Sequence, residues 1–203
     1  MVPMTFVMSA GLTHIESTTE QSQQYAGKRY VLVQTCFRHF DMDKVGQSPV
    51  HLSLFRMAGA FYFGQTNKDE IVQSIWRFLT GEVGFDPEKL AVTYFQGGEL
   101  DGRQFPRDAE TFRAWTELGL APERIRGSGI DANFWKQGGG LSGQERWRKC
   151  GPTTEVFYNR GSERRCGPAC RPGCRCGRYI EIANVLFIHS YIDDESGALR
   201  PLV

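Results

Sequence analysis

Four cysteines stand within eleven residues near the end of the chain, at the spacing C-x3-C-x3-C-x-C. They are Cys166, Cys170, Cys174 and Cys176, and most residues around them are Gly, Pro and Arg. This composition is typical of a loop. A short loop with four thiolates can surround one tetrahedral zinc ion, and a long apolar segment follows it. The sequence therefore predicts a metal-clipped loop beside a sheet.

The cysteine cluster allows three chemical states, which are one zinc site, two disulfides or four free thiols. The first residues, MVPMTFVMSA, lack the basic region and clean apolar core of a signal peptide, so we expect a reducing, cytoplasmic location. Clustered cysteines in such a compartment more often bind metal, and Cys174 and Cys176 are too close in sequence to pair easily. A shell of four thiolates is closed, so we expect a structural zinc, with Cys36 and Cys150 outside its shell.

The chain as a whole carries almost no net charge. Its 24 Lys and Arg residues balance 23 Asp and Glu residues, which excludes a global attraction to polyanions. No apolar run approaches the ~20 residues that cross a bilayer, so no membrane partner is expected. Locally, residues 160–178 are strongly basic. This segment is either a solvated loop around an anionic zinc–thiolate cluster or a contact for a phosphate-bearing ligand.

Apolar periodicity predicts an α+β fold. One helix is predicted over 68–80, capped by Asn67 and stopped near Gly81, and a second over 108–118, ended by Gly119. Their expected inward faces are Ile71, Ile75, Phe78 and Leu79, and Ala109, Phe112, Trp115 and Leu118. Strands are expected over 28–38, 52–64, 90–95, 155–158 and 179–191. The last of these is apolar on both faces, which predicts a central strand.

Five sequence blocks follow one another along the chain: FVMSAGLTH, CFR with VGQSPVHLSLFRMAGAFYFG, ERI with DANFW, CGPTTEVFYNRG, and RYIEIANVLFIHSY. Together they resemble the catalytic domain of alanyl-tRNA synthetase, a class II aminoacyl-tRNA synthetase, from about Thr5 to Leu202. The resemblance implies an antiparallel sheet flanked by helices. It also implies a single truncated catalytic domain over 1–203, with a zinc-binding insert at 166–176.

The resemblance implies a mechanism in which ATP binds bent on the sheet and a carboxylate attacks its α-phosphate to give an aminoacyl-adenylate. By this resemblance, Arg38 contacts the α-phosphate and the carboxylate, since a guanidinium offers paired donors in one plane. Phe55 would stack on adenine, and His51 would lie near the outer phosphates. Without the resemblance, the alternatives are that Arg38 is a surface arginine, Phe55 a core aromatic and His51 a loop histidine.

The amino-acid pocket is implied in the same way. The family's "NFW" and "EIWN" motifs match Trp135 and Asn184, which would line the pocket, and Glu155 and Glu181 lie in matched strands beside them. An amide can both donate and accept, so Asn184 suits an ammonium or a carbonyl. Core packing for Trp135 and a strand hydrogen bond for Asn184 are the alternatives.

The chain also departs from the family pattern. It ends at RPLV, before the family's motif 3 with its ATP-binding arginine and amino-group aspartate, and the helical tRNA-binding, editing and C-terminal domains are not in it. Arg56 replaces an acid of motif 2, and Ala183 replaces the large indole of "EIWN", which opens space. These departures favour a short stand-alone paralogue with an altered or enlarged pocket.

Three classes of function are compatible with this pattern. The first is an ATP-using enzyme that activates an amino acid or small carboxylic acid and passes it to a small acceptor or carrier protein, in specialised metabolite biosynthesis. The second is an ATP-independent enzyme on the same scaffold, acting on a nucleotide-like or aminoacyl substrate. The third is a non-catalytic paralogue that binds tRNA or a protein partner. We expect the first, with structural zinc and ATP as cofactors.

Overall fold

The computed structural model describes residues 27–37, 42–48, 51–64, 67–137, 147–174 and 176–201. The chain forms two compact units, a smaller one of residues 1–66, 138–143 and 203, and a larger one of residues 67–137 and 144–202. In the smaller unit β1 (Arg29–Phe37) and β2 (Leu54–Tyr62) form an antiparallel pair, and a 3-10 turn spans Met42–Lys44.

The larger unit contains nine strands and three α-helices among its described residues. The strands are β3 (Leu90–Phe95), β4 (Gly98–Leu100), β5 (Arg103–Phe105), β6 (Ile125–Ser128), β7 (Phe134–Lys136), β8 (Trp147–Asn159), β9 (Tyr179–Leu186), β10 (Ser190–Asp193) and β11 (Leu199–Pro201). The helices are α1 (Lys68–Arg77), α2 (Ala109–Glu117) and α3 (Ile130–Asn133), with a π turn at Phe78–Glu82 and 3-10 turns at Pro87–Lys89, Pro122–Arg124 and Ser162–Arg164.

Strand β8 is the centre of the large sheet. It pairs antiparallel with β3 and β7, and also with β9 and β10, while β6 joins β3 in parallel. A mixed α/β fold with mostly antiparallel pairing is thus confirmed. The prediction of one central strand over 179–191 is wrong: that segment forms β9 and β10, and β9 pairs with β8 alone among the described strands. The Phe187 N–H donates to the Pro152 carbonyl at 3.0 Å, but Pro152 has no N–H to return the bond, and β9 ends at this point.

Helices α1 and α2 cover one face of this sheet. Val92, Val156 and Trp115 are fully buried in this core. The Trp115 indole N–H donates to Thr154 Oγ1 at 2.8 Å, so the helix is hydrogen-bonded to the sheet. No helix in the described part of the chain is long and apolar enough to span a membrane.

Both predicted helices are present, and five of their eight predicted inward residues contact the core: Ile75, Leu79, Phe112, Trp115 and Leu118. In α1 the buried position is Val72 rather than Ile71, and Phe78 is 49% exposed because the π turn begins there. The turn also carries the chain past Gly81 to Glu82. The cap at Asn67 is confirmed, since its side chain accepts from the Asp69 N–H at 2.9 Å.

The second helix turns a polar residue inward. Thr111 and Ala114 are buried with Trp115, whereas Ala109 is exposed. The Thr111 hydroxyl donates to Asp108 at 2.7 Å, so its burial leaves no donor unsatisfied. Gly119 ends the helix with a positive φ of 84°, as predicted.

Gly151 is the tightest position in the sheet for a side chain. A Cβ there would overlap the carbonyl oxygen of Phe187. We therefore expect Gly151→Ala to lower the free energy of unfolding by about 1–3 kcal/mol, the usual cost of overpacking, measured by urea denaturation. Gly81→Ala is the control, because a Cβ at Gly81 meets nothing within 4 Å. Equal stability of both variants would show that the sheet adjusts at this point without cost.

Candidate functional site

A row of polar side chains crosses the sheet face that the core helices leave uncovered. The strand register puts Arg126 of β6 opposite Thr93 of β3, Thr93 opposite Glu155 of β8, and Glu155 opposite Asn184 of β9. The Thr93 hydroxyl donates to Glu155 Oε2 at 3.1 Å. Their strand neighbours Val92 and Val156 pack under the helices. Alternation along each strand therefore directs the polar row to the opposite face.

Glu155 is the electrostatic centre of this row. Its pKa is raised from the ordinary 4.5 to about 7, chiefly by burial and further by the nearby Glu181 charge, while the Thr93 hydrogen bond partly opposes both. Glu181 comes close because a β-bulge between Val156 and Phe157 shifts the register of β9. A carboxyl group with this pKa can accept or release a proton near neutral pH, or bind a cation when ionised.

Trp135 and Ala183, two residues of the matched motifs, lie outside the polar row. Trp135 is half-buried on β7 and pairs with Gly151, at the other end of β8 from Tyr158. Ala183 lies opposite Val156 and packs against the helix-covered core. The space that this small side chain opens therefore lies under the helices, and an enlarged pocket stays a prediction.

The remaining residues implied by motif 2 belong to the smaller unit. A ring nitrogen of His51 lies 2.7 Å from the Ser48 hydroxyl, where either group can donate, depending on the tautomer. Phe55 is half-buried on β2 and pairs with Cys36 of β1. Arg38 lies outside the described residues, so its role stays a prediction.

A cleft of the larger unit, separate from the polar row, carries residues that sequence reasoning missed. This cleft has a volume of about 280 Å³. At its edge the Lys68 ammonium donates to Asp108 at 2.7 Å, and burial together with the Lys68 charge lowers the pKa of His189. Lys68 and Asp108 appear in the sequence only as helix starts, so nothing local indicates that they pair. The cleft is lined by Lys68, Phe95, Phe105, Pro106, Arg107, Asp108, Ala109, Glu110, Phe134, Pro152 and His189.

The four clustered cysteines converge in space. Their sulfur atoms all lie within 4.8 Å of one another, with Cys166 and Cys174 3.3 Å apart and Cys170 and Cys176 3.6 Å apart. Sulfurs bound at about 2.3 Å to a tetrahedral zinc are about 3.8 Å from each other, so the cluster needs little adjustment to hold the ion. The predicted set of four ligands is thus brought together, while the zinc itself stays a proposal.

Hydrogen bonds within the cluster shift the pKa values of Cys166 and Cys174 in opposite directions. The Cys174 interaction raises the pKa of Cys166 to about 12, while the same contact with Cys166 lowers the pKa of Cys174. Cys174 therefore becomes a thiolate at a lower pH than Cys166, and the thiolate is the form that binds metal. Outside the cluster, burial raises the pKa of Cys150 to about 11, which favours an inert thiol.

Sequence comparison places the chain among known proteins. Residues 3–203 match the family described as tRNA synthetases class II (A). The chain belongs to this family. The alanine–tRNA ligases of Desulforudis audaxviator and Treponema pallidum are each 38% identical to it, over 86% and 87% of the chain. The alanine–tRNA ligase of Acetivibrio thermocellus is 32% identical over 98% of it.

The class II synthetase family match covers nearly all of this chain but little of its relatives. The aligned regions are 18%, 27% and 21% of those three ligases. The chain therefore spans about a fifth to a quarter of their length. Family membership confirms the resemblance seen in the five sequence blocks.

The raised pKa of Glu155 predicts a pH-dependent stability. A carboxyl group whose folded pKa exceeds its ordinary 4.5 stabilises the fold fully below that value, and the contribution is lost as the pH rises through about 7. We expect Glu155→Gln to raise the Tm relative to the native chain at pH 8 but not at pH 4.5. Thermal melts across this range measure it, with Glu117→Gln on exposed α2 surface as control. A difference in Tm that does not change with pH would argue against ionisation of Glu155 near 7.

Proposed function

We propose that this chain activates an amino acid with ATP as an aminoacyl-adenylate. The substrate carboxylate oxygen attacks the α-phosphorus, the bond from that phosphorus to the β-phosphate oxygen breaks, and pyrophosphate leaves. Membership of the class II synthetase family supports this reaction class. The observation that carries the proposal is the polar row, in which Glu155 faces Asn184 beside a second carboxylate.

The acidic end of the row suits the ammonium group of an amino acid. Glu155 and Glu181 repel each other when both are ionised, and a bound ammonium relieves that repulsion. The Asn184 amide supplies a carbonyl acceptor from the neighbouring strand. Trp135 contributes an apolar wall in this proposal. Together these residues give selectivity for a substrate that carries both an amine and a carboxylate.

The nucleotide end is proposed from the family resemblance. Arg38 would bind the α-phosphate and the attacking carboxylate, since an arginine fork matches both oxygen pairs. Phe55 would stack on adenine, and His51 would contact the outer phosphates. Catalysis of this kind depends on positioning and charge stabilisation rather than on covalent steps with the protein.

The acceptor of the activated group is the second half of the proposed function. The relatives are named alanine–tRNA ligases, so alanine and a tRNA are the first amino acid and acceptor to test. A small acceptor or a carrier protein, as in specialised metabolite biosynthesis, is the alternative, to be compared with tRNA in the same transfer assay. Transfer of labelled alanine from the adenylate to each acceptor separates these possibilities.

Amino-acid-dependent exchange of pyrophosphate into ATP tests the activation step. We expect exchange with alanine or another small amino acid, and a loss of about thirtyfold or more in Arg38→Ala. That loss corresponds to roughly 2–3 kcal/mol for a charged hydrogen bond. Arg113→Ala is the matched control, because Arg113 pairs with Asp69 on the surface at 2.7 Å.

The outcomes separate the three classes of function. Exchange that survives Arg38→Ala would contradict the proposed phosphate contact. No exchange with any amino acid, together with turnover of an aminoacyl or nucleotide-like substrate, would indicate the ATP-independent enzyme. Tight tRNA or protein binding without any turnover would indicate the non-catalytic paralogue.

We also propose one structural zinc on Cys166, Cys170, Cys174 and Cys176. The convergence of the four sulfurs supports it, as does the thiolate character of Cys174. A closed shell of four thiolates leaves no position for substrate, so the ion would hold the loop rather than take part in the reaction. Binding would stabilise the loop by about 10 kcal/mol at neutral pH.

Metal analysis checks the zinc proposal directly. We expect about one zinc per chain by plasma mass spectrometry, lost in Cys170→Ser and retained in the control Cys36→Ser, whose residue lies in the smaller unit. A chelator should lower the Tm of the native chain but not that of Cys170→Ser. A content well below one zinc, or a disulfide within the cluster, would count against the site.

A further inference from the structure

Arg126 occupies an unusual place on the sheet. It is half-buried on β6, at the basic end of the polar row, opposite Thr93. The structure gives its side chain no hydrogen bond or ion pair with any residue in the described ranges. Two other arginines of the larger unit have partners: Arg124 donates to the Pro87 carbonyl at 2.6 Å, and Arg148 donates to Asp194 at 2.8 Å. A half-buried guanidinium with five free donors has a strong tendency to bind an anion.

A second arginine approaches from the cysteine-rich loop. The loop connects β8 to β9 at the sheet end where β6 begins, and its Pro172 is buried, so this part of the loop packs onto the protein. Arg171 precedes that proline. Burial lowers the pKa of Arg126, and the positive charge of Arg171 lowers it further. Within the described residues, Arg171 likewise has no hydrogen bond or ion pair.

We propose that Arg126 and Arg171 together bind a phosphate group on this face of the sheet. Two cations that repel each other can share one anion, and a phosphate bound by both would turn the repulsion into two attractive contacts. Each planar guanidinium can donate two parallel hydrogen bonds to phosphate oxygens, which a pair of lysines cannot do. Neither residue belongs to the motifs that implied Arg38, His51 and Phe55.

The position of this pair fits the substrate of the proposed function. Strands lie about 4.8 Å apart, so the backbones of Arg126 and Glu155, two strands apart, are roughly 10 Å from each other. The face is therefore basic at one end and acidic at the other, which suits a molecule with a phosphate and an ammonium. The inference rests on the proposed function for the identity of that molecule, whereas the phosphate contact itself does not.

Binding measurements test the pair without any need for catalysis. Isothermal titration calorimetry would use inorganic pyrophosphate, ATP and a short single-stranded RNA with the zinc-loaded chain. We expect Arg126→Gln and Arg171→Gln each to weaken binding of pyrophosphate and ATP at least tenfold. Arg164→Gln is the matched control, since it removes one charge from the same loop at a residue that faces Glu163. Its affinities should stay within twofold of the native values.

Stability measurements separate a binding role from a structural one. Removing one of two like charges that repel each other should raise the Tm of the ligand-free chain or leave it unchanged, whereas loss of a structural arginine lowers it. Arg126→Lys keeps the charge without the fork and should restore only part of the pyrophosphate affinity. Unchanged pyrophosphate affinity together with weaker zinc binding would overturn the proposal, because the arginines would then serve the thiolate cluster.

The ligands identify the source of the phosphate. Loss of pyrophosphate and ATP binding supports a nucleotide phosphate, and loss of RNA binding alone supports a phosphodiester of nucleic acid. If native and variant chains bind each of the three ligands with the same affinity, the two arginines do not bind phosphate and the proposal is wrong. The proposal is equally wrong if none of the three ligands binds the native chain. Pyrophosphate binding that depends on both arginines in a chain without exchange activity would contradict only the adenylate proposal.

Discussion

The backbone hydrogen bonds of β8 are the constraint on which the larger unit depends. This strand, Trp147–Asn159, pairs with β3, β7, β9 and β10, so four other strands of the sheet are hydrogen-bonded to it. Successive side chains point to opposite faces, and a slip of one residue would exchange Glu155 with Val156. The same ladder therefore decides which residues are buried under the helices and which form the polar row.

Much of this fold could be predicted from local patterns, and the failures have physical causes. Strand β3, Leu90–Phe95, and the cap at Asn67 were predicted correctly because their signals lie within a few residues. The first half of β8 was missed, since CGPTT has the composition of a turn and becomes strand only through its four partners. The buried face of α1 was predicted in part: Ile75 and Leu79 contact the core, but Val72 rather than Ile71 is buried, because neighbouring apolar residues give two stripes of similar spacing.

The site was predictable only in part, for a similar reason. The family resemblance singled out Glu155 and Asn184, and the register makes them cross-strand neighbours. Spacing also identified the cysteines whose sulfurs converge. Arg126 carries no such signal, because IRGS resembles any short strand and the cross-strand neighbour of Arg126, Thr93, is distant in sequence. Whether a charged residue is satisfied is a property of the folded chain.

The segment between β8 and β9 joins stability to binding in the proposed arrangement. It carries both the four cysteines and Arg171, so the proposed zinc would fix the position of the Arg171 charge together with the loop. Without an anion, zinc binding holds two like charges together, and part of the metal's stabilisation opposes that repulsion. With a phosphate bound, the repulsion becomes attraction, and the loop and its ligand stabilise each other. Thermodynamic linkage then requires that phosphate tighten zinc binding by the same factor by which zinc tightens phosphate binding.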